Sequence, residues 1–225
     1  MEGYIHLASP VIYAGYVHVL QKIPPCPNNS LMKLCRTAHN INLSFLSAAM
    51  FILCFIGQVQ TGKMNSMDEL LCKSYDYNWY IDVSMKAFLY SKYVEWGDTL
   101  FLQLSGKPIS MLQYTHHMST AILTYVGMAR TVISPNGFVF LATNTLVHTP
   151  MYWYFAYPKG WLHKHRRMIT QSQIVQHVIC LSTLVYTHYI NYCQQAEYAN
   201  EFAMAMYSMY LFFFVSFYIG NKKAD

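Results

Sequence analysis

Charge is what this 225-residue chain has least of: only 11% of its residues are Asp, Glu, Lys or Arg, where a soluble globular domain carries roughly 25%. A water-soluble fold is therefore excluded as the default. Acidic residues are scarcer than basic ones, ten against fifteen, for a formal net charge of +5. A nucleic-acid-binding domain gathers such an excess on one accessible face. Here the Lys and Arg are scattered between long apolar stretches, so no nucleic-acid partner is expected. No basic residue precedes the first apolar stretch, and Met1 is followed by Glu2, which argues against a cleaved signal peptide. With no internal repeat, long polar loop or soluble block, residues 1–225 read as a single integral membrane domain.

What is present is apolar and aromatic: 54% hydrophobic residues, with twenty Tyr, thirteen Phe and fourteen Met. A mean hydropathy of only +0.18 indicates helices that are not apolar all round, with polar groups turned inward. The expected fold class is all-α, a polytopic membrane protein of seven transmembrane helices around a cavity. A bilayer core needs about 20 mostly apolar residues per helix. The candidate spans are Ile5 to Gln21, Ile41 to Val59, Trp79 to Leu104, Ile109 to Met128, Phe138 to Tyr157, Ile169 to Ile190 and Phe202 to Ile219. The second, fourth and seventh are the clearest, whereas the third carries Asp82, Lys86, Lys92, Glu95 and Asp98.

Lys and Arg on alternate sides of these spans set the orientation. One side holds ten, including Lys107, Lys159, Lys164, Arg166, Arg167, Lys222 and Lys223; the other holds Lys63, Lys73 and Arg130. The ten-residue side is expected to be cytosolic and to contain the C-terminus. The ending Lys222-Lys223-Ala224-Asp225 resembles the dilysine retrieval signal of endoplasmic reticulum membrane proteins, and is also accounted for as a basic stop after the last span. Of the six Cys, only Cys72 and Cys193 fall near the lumenal face and form a candidate disulfide. The sequon Asn28-Asn29-Ser30 falls on the cytosolic side and is expected to carry no glycan.

An ionisable side chain inside a bilayer marks a functional site by default, because it is costly unless it faces a cavity or a partner. On a continuous helix, Lys92, Glu95 and Thr99 fall within about 60° of one another and Asp98 about 60° further round. Lys92 and Glu95 could neutralise each other as an i,i+3 pair, which leaves Asp98 unexplained. Gln113, His116 and His117 lie on the fourth span. Asn144, His148 and Tyr152 share a face of the fifth, so neighbours could fix the tautomer of His148, and Pro150 predicts a kink beside it. Thr170, Gln173, Gln176 and His177 open the sixth. Imidazoles in such a setting can serve as base, nucleophile or metal ligand, and spacing alone does not separate the three.

Membrane di-iron desaturases and hydroxylases also use His-x-x-His-His boxes, but they need several. Beyond His116, His117 and His148 the other His cluster is His163-x-His165, in a Lys/Arg-rich loop. No metal site is expected. A non-catalytic seven-helix receptor or transporter is a further alternative, although a transporter usually shows inverted repeats, and none is found.

Four motifs, in order, resemble the ELO family of very-long-chain fatty acid elongases. Lys92-Tyr93-Val94-Glu95-Trp96-Gly97-Asp98-Thr99 looks like its K-x-x-E-x-x-D-T, and Gln113-Tyr114-Thr115-His116-His117 looks like its H-x-x-H-H. Asn144 to Tyr154 matches N-x-x-V-H-x-x-M-Y-x-Y, and Thr170 to Gln176 matches T-x-x-Q-x-x-Q. The resemblance covers Lys92 to Gln176, while the flanking regions add topology only. It implies a 3-oxoacyl-CoA synthase of the endoplasmic reticulum membrane that condenses long-chain acyl-CoA with malonyl-CoA and releases CoA and carbon dioxide. The helices would enclose an acyl tunnel. No cofactor is implied, since both CoA esters are substrates; membrane lipid and the other enzymes of the elongation cycle are the implied partners, with a homodimer left open.

By the same resemblance His116 would accept the acyl group, with a general base as the alternative role. His148 would assist decarboxylation or hold the thioester carbonyl. His117, Asp98, Glu95 and Lys92 would orient or balance the imidazoles, supported by Thr99, Asn144, Tyr152, Gln173 and Gln176. Lys107, Lys159, Lys164, Arg166 and Arg167 would meet CoA phosphates, or serve only topology. Gln113 departs from the family's first box His, a form resembling some polyunsaturated-chain elongases. Phe155 stands where a second Tyr is frequent.

Overall fold

In the computed structural model, the described residues are 2–73, 76–128, 136–190, 193 and 197–222. They form nine α-helices and no strand: α1 (Glu2–Leu20), α2 (Ser30–Thr61), α3 (Met67–Cys72), α4 (Trp79–Val94), α5 (Trp96–Leu104), α6 (Met111–Met128), α7 (Gly137–Ala156), α8 (Arg166–Val185) and α9 (Glu197–Lys222). A 3-10 turn over Trp161–His165 leads into α8, and a π turn over Tyr186–Ile190 follows it.

Two elements depart from the expected spans. Helix α2 begins at Ser30 rather than Ile41, because Asn29 caps it by accepting a bond from the Met32 amide at 2.9 Å. Lys33, Arg36, His39 and Asn40 therefore stand on a helix, not in a loop. The expected third span is two helices. The Glu95 amide still bonds to the Ser91 carbonyl, but the Asp98 amide turns back to the Glu95 carbonyl at 3.0 Å, and α5 starts afresh at Trp96. Helix α7, by contrast, is unbroken through Pro150, and Ser44 of α2 donates to the Thr149 carbonyl at 2.8 Å.

By length and hydropathy alone, two helices are apolar enough to cross a bilayer: α2 and residues Ala199–Gly220 of α9. Helix α6 is not one of them, although its span was among the three clearest in the sequence. The polar side chains that lower its hydropathy, His117, Ser119 and Thr120, are turned inward and buried. The same inversion runs through the molecule. Lys92, Glu95, His148, Gln176 and His177 are buried, whereas Val11, Phe45, Ile52, Leu146, Val175 and Phe212 are exposed, the distribution expected where the surroundings are lipid.

Neighbouring helices pack in the order α2, α7, α8, α9, α6, α1, α5 and back to α2, a closed ring, with α4 touching α2, α6 and α7. Met50, Cys54, Ile81, Met85, Phe88, Phe138 and Leu141 form the apolar core between α2, α4 and α7. Gly57 permits the α2–α4 approach, since a Cβ there would lie 2.6 Å from Ile81. Cys72 at the end of α3 is disulfide-bonded to Cys193, 121 residues on, with Cα atoms 5.2 Å apart.

Candidate functional site

The site is built around one buried ion pair. Lys92 Nζ donates to Glu95 Oε1 at 2.9 Å, with both side chains almost fully enclosed. Ser91 Oγ donates to the same oxygen at 3.1 Å, and the Phe88 ring lies 4.1 Å below the ammonium. Such a pair offsets its desolvation cost only when further bonds are made. Lys92 makes one by donating to Asn144 Oδ1 at 3.1 Å. This fixes the amide's orientation: its oxygen faces Lys92, so its nitrogen donates to His148 Nε2 at 3.2 Å. An imidazole that accepts at Nε2 carries its proton on Nδ1, and His148 Nδ1 stands 3.7 Å from Glu95 Oε1. The ion pair thus sets the tautomer of His148 through Asn144. Glu95 Oε2 is buried without a partner among the described residues.

Asp98 belongs to a different set of contacts. Because α5 restarts after Glu95, its carboxylate turns toward α2 and α7. Its Oδ1 accepts from His39 Nε2 at 3.0 Å, and its Oδ2 accepts from Tyr152 OH at 2.9 Å. Thr99, fully buried, turns to α1 and bonds to Tyr13 OH at 2.7 Å. A single face had been expected for Lys92, Glu95, Asp98 and Thr99; the helix break distributes them among three partner helices.

The paired histidines lie on α6. His117 is buried, its ring stacks on Tyr13, its Nδ1 has no partner among the described residues, and its carbonyl accepts from Trp96 Nε1 at 3.1 Å. His116 is half-buried, edge-on to His117 at 5.3 Å and packed against Tyr210 at 5.2 Å. Tyr210 is held by Ser119 at 2.6 Å. Across from it on α8, His177 Nδ1 donates to the Gln173 carbonyl, and its ring meets Phe214 at 4.9 Å. Gln173 Nε2 reaches Met151 Sδ at 3.2 Å, and Gln176 is buried on the same helix. Among the described residues no three His, Cys, Asp or Glu are grouped so as to hold a metal ion.

A cleft of about 190 Å³ opens beside Asp98, lined by Arg36, Asn40, Phe101, Leu102, Ser105, Lys107, Gln113, Phe155 and Pro158. Lys107, expected as a phosphate contact, and Gln113, in place of a box His, thus share its wall. Lys159, Lys164, Arg166 and Arg167 are exposed around the 3-10 turn and are not part of that lining. Lys222 ends α9, and Lys223 lies outside the described residues, as does Arg130. Sequence reasoning missed His39 and Arg36, whose signal was the Asn29 cap that begins a helix ahead of them, and Tyr13, Trp96 and Tyr210, which looked like ordinary span aromatics.

The profile of the ELO family, described as the GNS1/SUR4 family, matches residues 4–224. The chain belongs to the ELO family. Among similar proteins, fatty acid elongase sre1 of Dictyostelium discoideum is 26% identical over 227 residues, 97% of this chain and 83% of its own. Long chain fatty acid elongase 2 of Caenorhabditis elegans is 34% identical over 163 residues, 63% of this chain and 56% of its own. Very long chain fatty acid elongase 4 of Trypanosoma cruzi is 31% identical over 136 residues, 56% of this chain and 47% of its own. The chain therefore spans about half the length of several curated relatives it matches. In this ELO protein the four motifs occupy α4–α5, α6, α7 and α8, and the first and third are bonded to each other through Lys92–Asn144 and Asp98–Tyr152.

Proposed function

We propose that this ELO protein is the condensing enzyme of fatty acid elongation, joining a long-chain acyl-CoA to malonyl-CoA with release of CoA and carbon dioxide. The observation that carries it is the Lys92–Asn144–His148 chain of bonds, which presents a neutral imidazole of fixed tautomer in a buried site. His116 stands on the adjacent wall without a side-chain hydrogen bond among the described residues. A neutral imidazole is a competent acyl acceptor.

In the first half-reaction a ring nitrogen of His116 attacks the thioester carbonyl. The C–S bond breaks, and the departing CoA thiolate takes the imidazole proton. In the second, malonyl-CoA loses carbon dioxide, its C2 electron pair attacks the acyl carbon, and the acyl–nitrogen bond breaks as the departing imidazole takes up one proton from water, which replaces the proton carried off by CoA and restores neutral His116. His148 lies beside Glu95 and Lys92, where it can steady the developing enolate oxygen. Arg36 and Lys107 supply positive charge along the cleft and suit CoA phosphates, with Lys159, Lys164, Arg166 and Arg167 as outer contacts. Polyunsaturated chains are included as substrates on the Gln113 resemblance.

Seven spans follow if α1, α2, α4 with α5, α6, α7, α8 and α9 each cross the bilayer, enclosing an acyl tunnel. The proposed location is the endoplasmic reticulum membrane, C-terminus cytosolic, with Lys222 and Lys223 read by a retrieval receptor and other elongation-cycle enzymes as partners. Purified protein given acyl-CoA and labelled malonyl-CoA is expected to release labelled carbon dioxide and form the 3-oxo product lengthened by two carbons. Absence of both across saturated and unsaturated chains overturns the proposal. Intact mass after acyl-CoA alone is expected to show one acyl adduct that His116→Ala abolishes; turnover without any adduct replaces the nucleophile with a general base.

A further inference from the structure

His39 belongs to none of the four motifs, yet it is built into the site from another helix. Its Nε2 donates to Asp98 Oδ1 at 3.0 Å, while Tyr152 takes Oδ2 at 2.9 Å. The Tyr152 ring in turn stands edge-on to the His148 imidazole, 5.3 Å away at 83°. The neighbouring Gly97 is shaped to this arrangement, since a Cβ there would come within 2.7 Å of His39 Cε1. Phe101 closes the other side of the ring at 5.2 Å. A glycine that admits an imidazole and an aspartate that accepts from it, adjacent in sequence, are independent observations of one seat.

We propose that His39 is a positioning residue for the condensation, holding Asp98 so that Tyr152 fixes the His148 ring. Asp98 is a short side chain at the wall of an open cleft. With both oxygens claimed, from α2 and from α7, its carboxylate has one orientation and offers Tyr152 a stationary acceptor. Without His39, Oδ1 faces the cleft and water, the carboxylate can turn, and the Tyr152 hydroxyl loses its fixed partner. Lys92 and Asn144 hold His148 from the nitrogen side; His39, Asp98 and Tyr152 hold it from the ring face. The consequence for turnover rests on the elongase proposal, whereas the positional claim does not.

Two variants separate bonding from space-filling. His39→Leu keeps much of the volume and removes the donor; His39→Gln keeps an amide N–H at similar reach. His39→Leu is expected to lower kcat about tenfold, less than the roughly hundredfold that displacing a reacting group by about 1 Å can cost, with KM for malonyl-CoA changed less than twofold, and His39→Gln to recover most of the loss. Gly97→Ala is expected to act like His39→Leu and to add nothing in the His39→Leu background, because both break one contact. Equal impairment by Gln and Leu, or additive losses, overturns the proposal. A readout independent of turnover is the carbethoxylation of His148 by diethyl pyrocarbonate, followed by peptide mass. It is expected to speed up in His39→Leu and to return toward the wild-type rate in His39→Gln; one rate in all three overturns the positional claim. If wild-type protein does not condense substrates, the elongase proposal fails, and carbethoxylation still decides whether His39 positions His148.

Discussion

The two walls of the site are made differently. On the α4–α5–α7 wall, Lys92, Glu95, Asn144, His148, Asp98 and Tyr152 are tied to one another by hydrogen bonds, several of them charge-assisted. On the α6–α8–α9 wall, His116, His177, Tyr210 and Phe214 meet mainly through ring faces and edges. The first wall has one arrangement of lowest energy, because leaving any of its buried polar groups unpaired costs more than bonding it gains. The second can repack at little cost, which suits the acyl chain and the transferring imidazole of the proposed reaction.

The sharpest way to break this contrast is at the reacting groups. His116→Ala is expected to reduce condensation at least about 10⁴-fold while leaving the melting temperature within a few degrees, measured by product formation and thermal unfolding in detergent. Asn144→Leu removes the group that fixes the His148 tautomer and is expected to cost about 10²-fold in kcat, again by product chromatography. Lys92→Met leaves Glu95 charged and buried without its cation, and is expected to destabilise by about 3–5 kcal/mol. A small loss there would mean that the ionic wall is not the rigid one. Reduction of Cys72–Cys193 is expected to cost about 2–4 kcal/mol through the freedom returned to the unfolded chain, with kcat nearly unchanged, since both cysteines lie outside the four motifs. Tyr210→Phe removes only the Ser119 bond and is expected to cost about 1 kcal/mol. An effect on stability as large as that of Lys92→Met would erase the distinction between the walls.

The sequence showed the all-helical class and every motif side chain, because buried Lys, Glu, Asp and His stand out against apolar helices. Pairs along one helix, Lys92 with Glu95 and Asn144 with His148, were legible, as was the Cys72–Cys193 bridge, but the other contacts between helices were not. Helical spacing placed Asp98 and Thr99 on the face of Lys92 only by assuming an unbroken helix, and nothing in local propensity except Gly97 warned of the turn at Glu95. His39 was hidden for the opposite reason. Lys33 and Arg36 lower the hydropathy of its segment, so a hydropathy boundary at Ile41 cut off the first turns of α2, although Asn29 marks the true start. The seat for His39 beside Gly97 depends on two segments 58 residues apart in the chain meeting in space, which periodicity along one helix does not encode.

The Cys72–Cys193 bridge, described above as a link between α3 and the segment after the π turn, also gives the proposed orientation a chemical test. Cys26 and Cys35, near the opposite end of the helices, are free thiols, and Cys35 is exposed. In the orientation proposed above, a membrane-impermeant maleimide applied to sealed microsomes from the cytosolic side labels Cys35 at once. Cys72 and Cys193 should react only after reduction and permeabilisation, so the chain carries its own orientation label, readable by mass without an added tag.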